Sequence, residues 1–259
     1  MSAEDGGEWV YGVHAVMGLL KTAPTRIHEI LLARRPGEQR LERIRALAES
    51  REIPWRWAER AELERCADGR HQGVAAHCAP GPRHDEEFLL RLAAERRDLL
   101  LLVLDGITDP HNLGACLRVA DAAGVAAVVA PRDRAAGITA AVHKVASGAA
   151  AAVPYVVVTN LARALRRLRA AGVWVVGACG EAETSLYAVD LRGPLALVVG
   201  AEDAGLRRLT REGCDVLARL PMQGAVESLN AAVAAGICLF EAVRQRRPDG
   251  GETGDAARG

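Results

Sequence analysis

Asn112, Arg118, Glu202, Ser228 and Asn230 are the side chains in this sequence whose types and places suggest chemistry. They supply two carboxamides, a guanidinium, a carboxylate and a hydroxyl. These groups bind and orient a ligand through hydrogen bonds, and no metal-ligand cluster is visible in the sequence. They fall in three stretches, Asp105 to Arg118 (DGITDPHNLGACLR), Val198 to Gly205 (VVGAEDAG) and Leu220 to Asn230 (LPMQGAVESLN). Taken singly, each stretch has an ordinary structural reading. Asn112 can cap a helix, Arg118 can be a surface residue at the rim of a core, Glu202 can be a turn acid, and Ser228 is a good N-cap. His111 reads as a solvated loop residue. The chain has no G-x-G-x-x-G, so a dinucleotide-binding loop is disfavoured.

The elements needed to position these residues are legible as a pattern. Leu99 to Leu104 is a continuous apolar run, as expected of a parallel strand covered on both faces. A helix is expected from Asn112 to Ala123, with Leu113, Leu117 and Ala120 on its buried side. Further strands are expected at 125–130, 153–158, 173–177, 195–200 and 216–220, and a strongly apolar helix at 229–245. Strand–helix alternation of this kind predicts a parallel sheet with helices on both faces. Ligands bind beyond the carboxyl ends of such strands, where the three polar stretches lie. The first 78 residues alternate shorter strand and helix signals and read as a separate small α/β unit. Ala79 to Glu87 (APGPRHDEE) opens a linker, 79–98, and the tail 248–259 has the composition of disorder.

Composition narrows the class. There are 33 basic and 33 acidic residues, so net charge makes no case for nucleic acid. The six cysteines are scattered, with no C-x-x-C pair and no grouping with histidine. That usage fits a reducing cytosol, and no metal site is expected. The acidic N-terminus does not read as a signal peptide. The uncharged run 145–162 contains Gly148, Pro154 and Asn160, and reads as buried turn and strand, not as a membrane span.

The order and spacing of the three stretches resemble the three motifs of the SpoU (TrmH-type) 2′-O-ribose methyltransferases of the SPOUT class. The motifs read here as DPHNLGACLR, GAEDAG and PMQGAVESLN, and the resemblance covers about Leu99 to Arg246. The N-terminal unit, with YGVHAV and HQG, is similar to the small L30e-like substrate-binding domain that precedes many members. DPHNLGACLR, NLAR, RRLTRE and GICLFEAVRQR resemble most closely the members that methylate a guanosine in the peptidyl-transferase region of 23S rRNA. The resemblance implies an α/β fold whose C-terminal SPOUT-type parallel sheet, 99–247, carries a trefoil knot. It implies S-adenosylmethionine as methyl donor, no metal, a homodimer, a cytoplasmic setting and no membrane partner. Arg118 would be the central catalytic residue, with Asn112, Glu202, Ser228 and Asn230 around it. Gly200, Ala201, Gly205, Leu220, Met222, Gly224 and Leu229 would hold the donor. Arg70, His71 and Gln72, in a turn between glycines, are the expected RNA contacts. Asp203, beside Glu202, and Ala231 and Ala232, after S-L-N, depart from the commoner family residues. A tRNA ribose methyltransferase is the alternative within the class; a knotted RNA-binding protein without activity is the alternative outside it.

Overall fold

The computed structural model describes residues 7–34, 37–67, 71–82, 84–226 and 228–247. The expected tail at 248–259 and Arg70 of the expected RNA-contact turn lie outside the described residues.

The first module contains β1 (Glu8–Tyr11), α1 (Val13–Thr22), β2 (Ile27–Ala33), α2 (Gln39–Ser50), β3 (Trp55–Ala58), α3 (Arg60–Cys66) and β4 (Val74–Cys78). The sheet order is β1-β4-β2-β3, with β4 antiparallel to both neighbours and β3 parallel to β2. The period of two along β2 divides its apolar residues. Ile30 and Leu32 pack in one core with α1 and α2, and Leu31 packs in the other with Leu63 of α3.

The second module contains α4 (Glu86–Glu95), β5 (Leu100–Asp105), α5 (Pro110–Ala122), β6 (Ala127–Pro131), α6 (Ala140–Ala146), α7 (Ala149–Ala152), β7 (Tyr155–Val158), α8 (Leu161–Ala170), β8 (Trp174–Ala178), β9 (Thr184–Ser185), β10 (Leu195–Gly200), α9 (Arg208–Glu212), β11 (Val216–Arg219) and α10 (Ala231–Arg246). Its sheet runs β7-β6-β5-β10-β8-β11-β9, and every pairing is parallel. Leu100, Leu102 and Leu104 of β5 face a core shared with α5 and α10, while Leu101 and Val103 face one shared with α4 and α8. This two-sided burial is why β5 reads as unbroken apolar sequence. The chain returns through β10 to the centre of the sheet, between β5 and β8, so the loops after β5 and β10 leave it side by side.

Two local expectations are revised, and the joint between the modules is defined. The span 79–98 is not irregular throughout. Asp85 caps α4 by accepting from the Phe88 amide (3.0 Å), and Glu86 bridges Arg163 (3.1 Å) and Arg167 (2.8 Å) of α8. With Leu89 fully buried, α4 is part of the second module. The run 145–162 contains a helical turn, α7, as well as β7, because four consecutive alanines follow Gly148. No helix among the described residues is long and apolar enough to cross a membrane. Finally, the first module is not suspended on its linker. Helix α1 packs against α7, and a Cβ on Gly18 would lie 2.5 Å from the Cα of Gly148. Arg26 also holds the linker start, donating to the Ala79 carbonyl (3.0 Å).

Candidate active site

The site is built where β5 and β10 end. After β5, Asp109 caps α5, accepting from the amides of His111 (3.0 Å) and Asn112 (3.3 Å). Pro110 takes the first helical position, where it has no amide to waste. Asp109, not Asn112, is therefore the cap, and the Asn112 side chain is left free to act elsewhere. The same correction applies before α10: Asn230, not Ser228, is the cap, accepting from the amides of Ala232 (3.0 Å) and Val233 (3.3 Å) through Oδ1.

Asn112, Glu202 and Asn230 meet in a ring, although 90 and 28 residues separate Glu202 from the two asparagines. Glu202 Oε1 accepts from Asn112 Nδ2 (2.8 Å), Asn230 Nδ2 (2.7 Å) and the Ala231 amide (3.4 Å). Asn230 Nδ2 also donates to Asn112 Oδ1 (2.9 Å). The carboxylate thus lies between the N-termini of α5 and α10, where helix dipoles favour negative charge. Its Oε2 accepts from no described residue, which leaves that oxygen free to accept from a hydroxyl or to face a cation. Beneath it, burial pushes the Cys116 thiol up to about 12, with the Glu202 charge adding to the effect. That thiol stays protonated near neutral pH and is not a thiolate nucleophile.

Next to the ring is a cavity of about 140 Å³ lined by Gly200, Ala201, Glu202, Gly205, Leu220, Met222, Ser228 and Leu229, among others. Of the residues expected to hold the methyl donor, all but Gly224 line it. Ala178, the last residue of β8, and Cys179 and Gly180 after it also line the wall and were missed, as were Val199, Ala231 and Ala234. For the first three the signal was available, since they end or follow a strand whose neighbours both end at the site. The donor set suits S-adenosylmethionine: apolar walls for a flat base, backbone for its edges, and a carboxylate near a sulfonium charge. The cavity is smaller than most ligand pockets, and larger clefts of about 670 and 650 Å³ lie elsewhere. The chemistry of the lining, not volume, selects this site.

Arg118 does not join the ring. It is exposed on α5, beside a shallow depression with Ala115, Val119, Ala122 and Val145. Six residues from Asn112, it is about 9 Å along the helix and roughly 120° away around it. In the first module, His71 is buried and accepts the Gly73 amide at Nδ1 (3.1 Å), while exposed Gln72 caps α1 by accepting from the Val13 amide (3.0 Å). Both residues hold the turn in shape. Among the described residues no group of His, Cys, Asp and Glu is arranged to bind a metal.

Comparison with known proteins identifies the family. Residues 99–240 match the SpoU rRNA Methylase family, and residues 9–84 match the RNA 2′-O ribose methyltransferase substrate binding domain. The chain is 54% identical over 242 residues to the 23S rRNA (guanosine-2′-O-)-methyltransferase RlmB of Pseudomonas putida, covering 93% of this chain and 97% of the relative. It is 51% identical to the RlmB of Escherichia coli K12, covering 92% and 99%. Among solved structures it resembles the SpoU methyltransferase AviRb from Streptomyces viridochromogenes, in complex with AdoMet. The TM-score is 0.75 at 27% identity, covering 93% of this chain and 90% of that one. By sequence over nearly its whole length, the chain belongs to the SpoU rRNA methylase family.

Proposed function

We propose that this protein methylates the ribose 2′-hydroxyl of a specific guanosine in the peptidyl-transferase region of 23S rRNA. The observation that carries the reading is the Asn112–Glu202–Asn230 ring beside an apolar, backbone-lined slot. Relatives named for that activity, matching almost end to end, support the choice of nucleic acid. S-adenosylmethionine supplies an electrophilic methyl group on a sulfonium. The chain's own residues orient the ribose and stabilise charge growing on its oxygen. Glu202, fixed on one oxygen, holds polar ligand groups with the other, and Ser228 lines the same slot. Arg118 binds a nucleotide phosphate and stabilises the 2′-oxyanion. Its guanidinium holds its proton too firmly to act as base, so the hydroxyl proton leaves to a substrate phosphate oxygen or to water.

This role requires an Arg118 from a second copy of the chain. Helices α5 and α10 share one side of the domain, with Gly236 packed against Val119. On that side Val233 and Phe240 are 49% and 46% exposed. A homodimer through this side covers them and delivers each Arg118 to the opposite ring. The trefoil knot belongs to the same reading, supported by the return of β10 to the sheet centre. The first module selects the RNA, because one small pocket cannot choose a site within a ribosome-sized molecule. The reaction takes place in the cytoplasm, where the ribosome is assembled. The test is to map 2′-O-methylated positions in rRNA and tRNA with and without the gene. Loss of one mark, at a guanosine in the peptidyl-transferase region, is expected. Unchanged 23S rRNA, or a lost tRNA mark, overturns the proposal.

A further inference from the structure

Asp105 is the only polar residue in β5, and its side chain is fully buried. A buried carboxylate is costly unless it is paired and hydrogen-bonded. Here one residue satisfies it. Oδ2 accepts from the backbone amide of Arg207 (2.9 Å), and Oδ1 accepts from its guanidinium Nε (2.6 Å). Asp105 also stands directly across from Gly200 in the β5–β10 ladder. The segment from 200 to 207 therefore leaves the sheet beside Asp105 and returns to its carboxylate. Within the segment there is little freedom. The Gly205 amide donates to the Ala201 carbonyl (2.8 Å), and a Cβ on Gly200 would lie 2.2 Å from the carbonyl carbon of Gly205. Leu206 is buried against Gly177. This closed loop carries Glu202 and supplies Gly200, Ala201 and Gly205 to the slot wall.

We propose that the buried Asp105–Arg207 pair is a clasp that sets the position of the Glu202 loop, and through it the affinity for the methyl donor. Both are positioning residues: neither lines the slot, and neither belongs to the ring around Glu202. A loop with both ends held at one residue presents its amides and carboxylate without reorganising when the ligand arrives. Freed at its return end, the same loop must be ordered by the ligand, which weakens binding. A pair that served stability alone would move the melting temperature and leave the folded protein's affinity unchanged.

This inference rests on the donor-site reading above, and the experiment separates the two. Dissociation constants for S-adenosylmethionine, kcat, KM for RNA and thermal midpoints are measured for the parent protein, Asp105→Asn, Arg207→Met, Arg207→Lys and the Asp105→Asn/Arg207→Met double variant. In Arg207→Met, donor binding should weaken by about tenfold to a hundredfold, the worth of a lost charged hydrogen bond. Its kcat should fall, with KM for RNA within about twofold of parent, the scatter expected where no contact is lost. Arg207→Lys should recover part of the loss. The double variant should be no worse than the worse single one, as residues acting as a unit are non-additive. If Asp105→Asn does not fold, Arg207→Met carries the test, because its guanidinium is partly exposed. Parent-like donor affinity in folded Arg207→Met, or strictly additive losses, overturns the clasp. A parent protein that fails to bind S-adenosylmethionine overturns the donor-site reading instead.

Discussion

At Arg118 the physical question is how a cation on the outer side of α5 could serve a ring it does not touch. The helix period turns it away from Asn112, and among the described residues it forms no hydrogen bond or ion pair. A solvated arginine with no partner adds little to the stability of its own fold. Replacing it should therefore separate folding from function. Arg118→Ala is expected to keep the parental thermal midpoint and donor affinity while turnover falls by about 10²–10³, as for loss of one preorganised donor at a developing oxyanion. Single-turnover methylation of 23S rRNA beside a melting curve checks this, and turnover near the parental value would remove Arg118 from the mechanism.

Among elements, the contact of α1 with α7 shows how two modules become one body. Gly18 sits inside a helix, where alanine would ordinarily gain about 1 kcal/mol in propensity. Here the added Cβ would stand 2.5 Å from the Cα of Gly148, which is itself at φ +99. Backbone meets backbone: the nearest atoms to the added Cβ all belong to the Gly148 main chain, so no side-chain rotation relieves the clash. Overpacking of this kind costs about 1–3 kcal/mol, more than the propensity gain. Gly18→Ala is therefore expected to be net destabilising, seen as a lower denaturant midpoint. A midpoint at or above the parent's would mean that the modules part easily and that the crossing is not a tight joint.

For the whole molecule, the decisive property is where the parts of one active site come from. If each ring is completed by the partner's Arg118, two different inactive variants must rescue one another. Arg118→Ala and Glu202→Gln subunits, mixed and allowed to exchange, would form heterodimers in which one site carries both defects and the other carries none. Random reassortment should restore about one quarter of parental turnover, since half the dimers then hold one intact site of two. Sedimentation should give a dimer for the parent and both variants. No recovery from a mixture shown to have exchanged would place Arg118 in the same subunit's site and refute the shared arrangement.

What the sequence by itself determined was local or periodic. The unbroken apolar run of β5, the limits of β10 at Leu195–Gly200 and the stripe of α5 follow from burial on both strand faces and one helix face. The motif residues were equally legible, because their types and order survive without coordinates. Caps were less so. Asp109, Asn112, Ser228 and Asn230 are all competent N-caps, and only the packed helices show that Asp109 and Asn230 cap while Asn112 turns to Glu202. Helix α4 was hidden because its stability comes from Leu89 and from Arg163 and Arg167, partners far along the chain. The clasp was hidden for the same reason. In the sequence Asp105 is one acid at the end of a strand, 102 residues from Arg207. Burial makes that pair matter, and burial is decided only when β10 returns to lie beside β5.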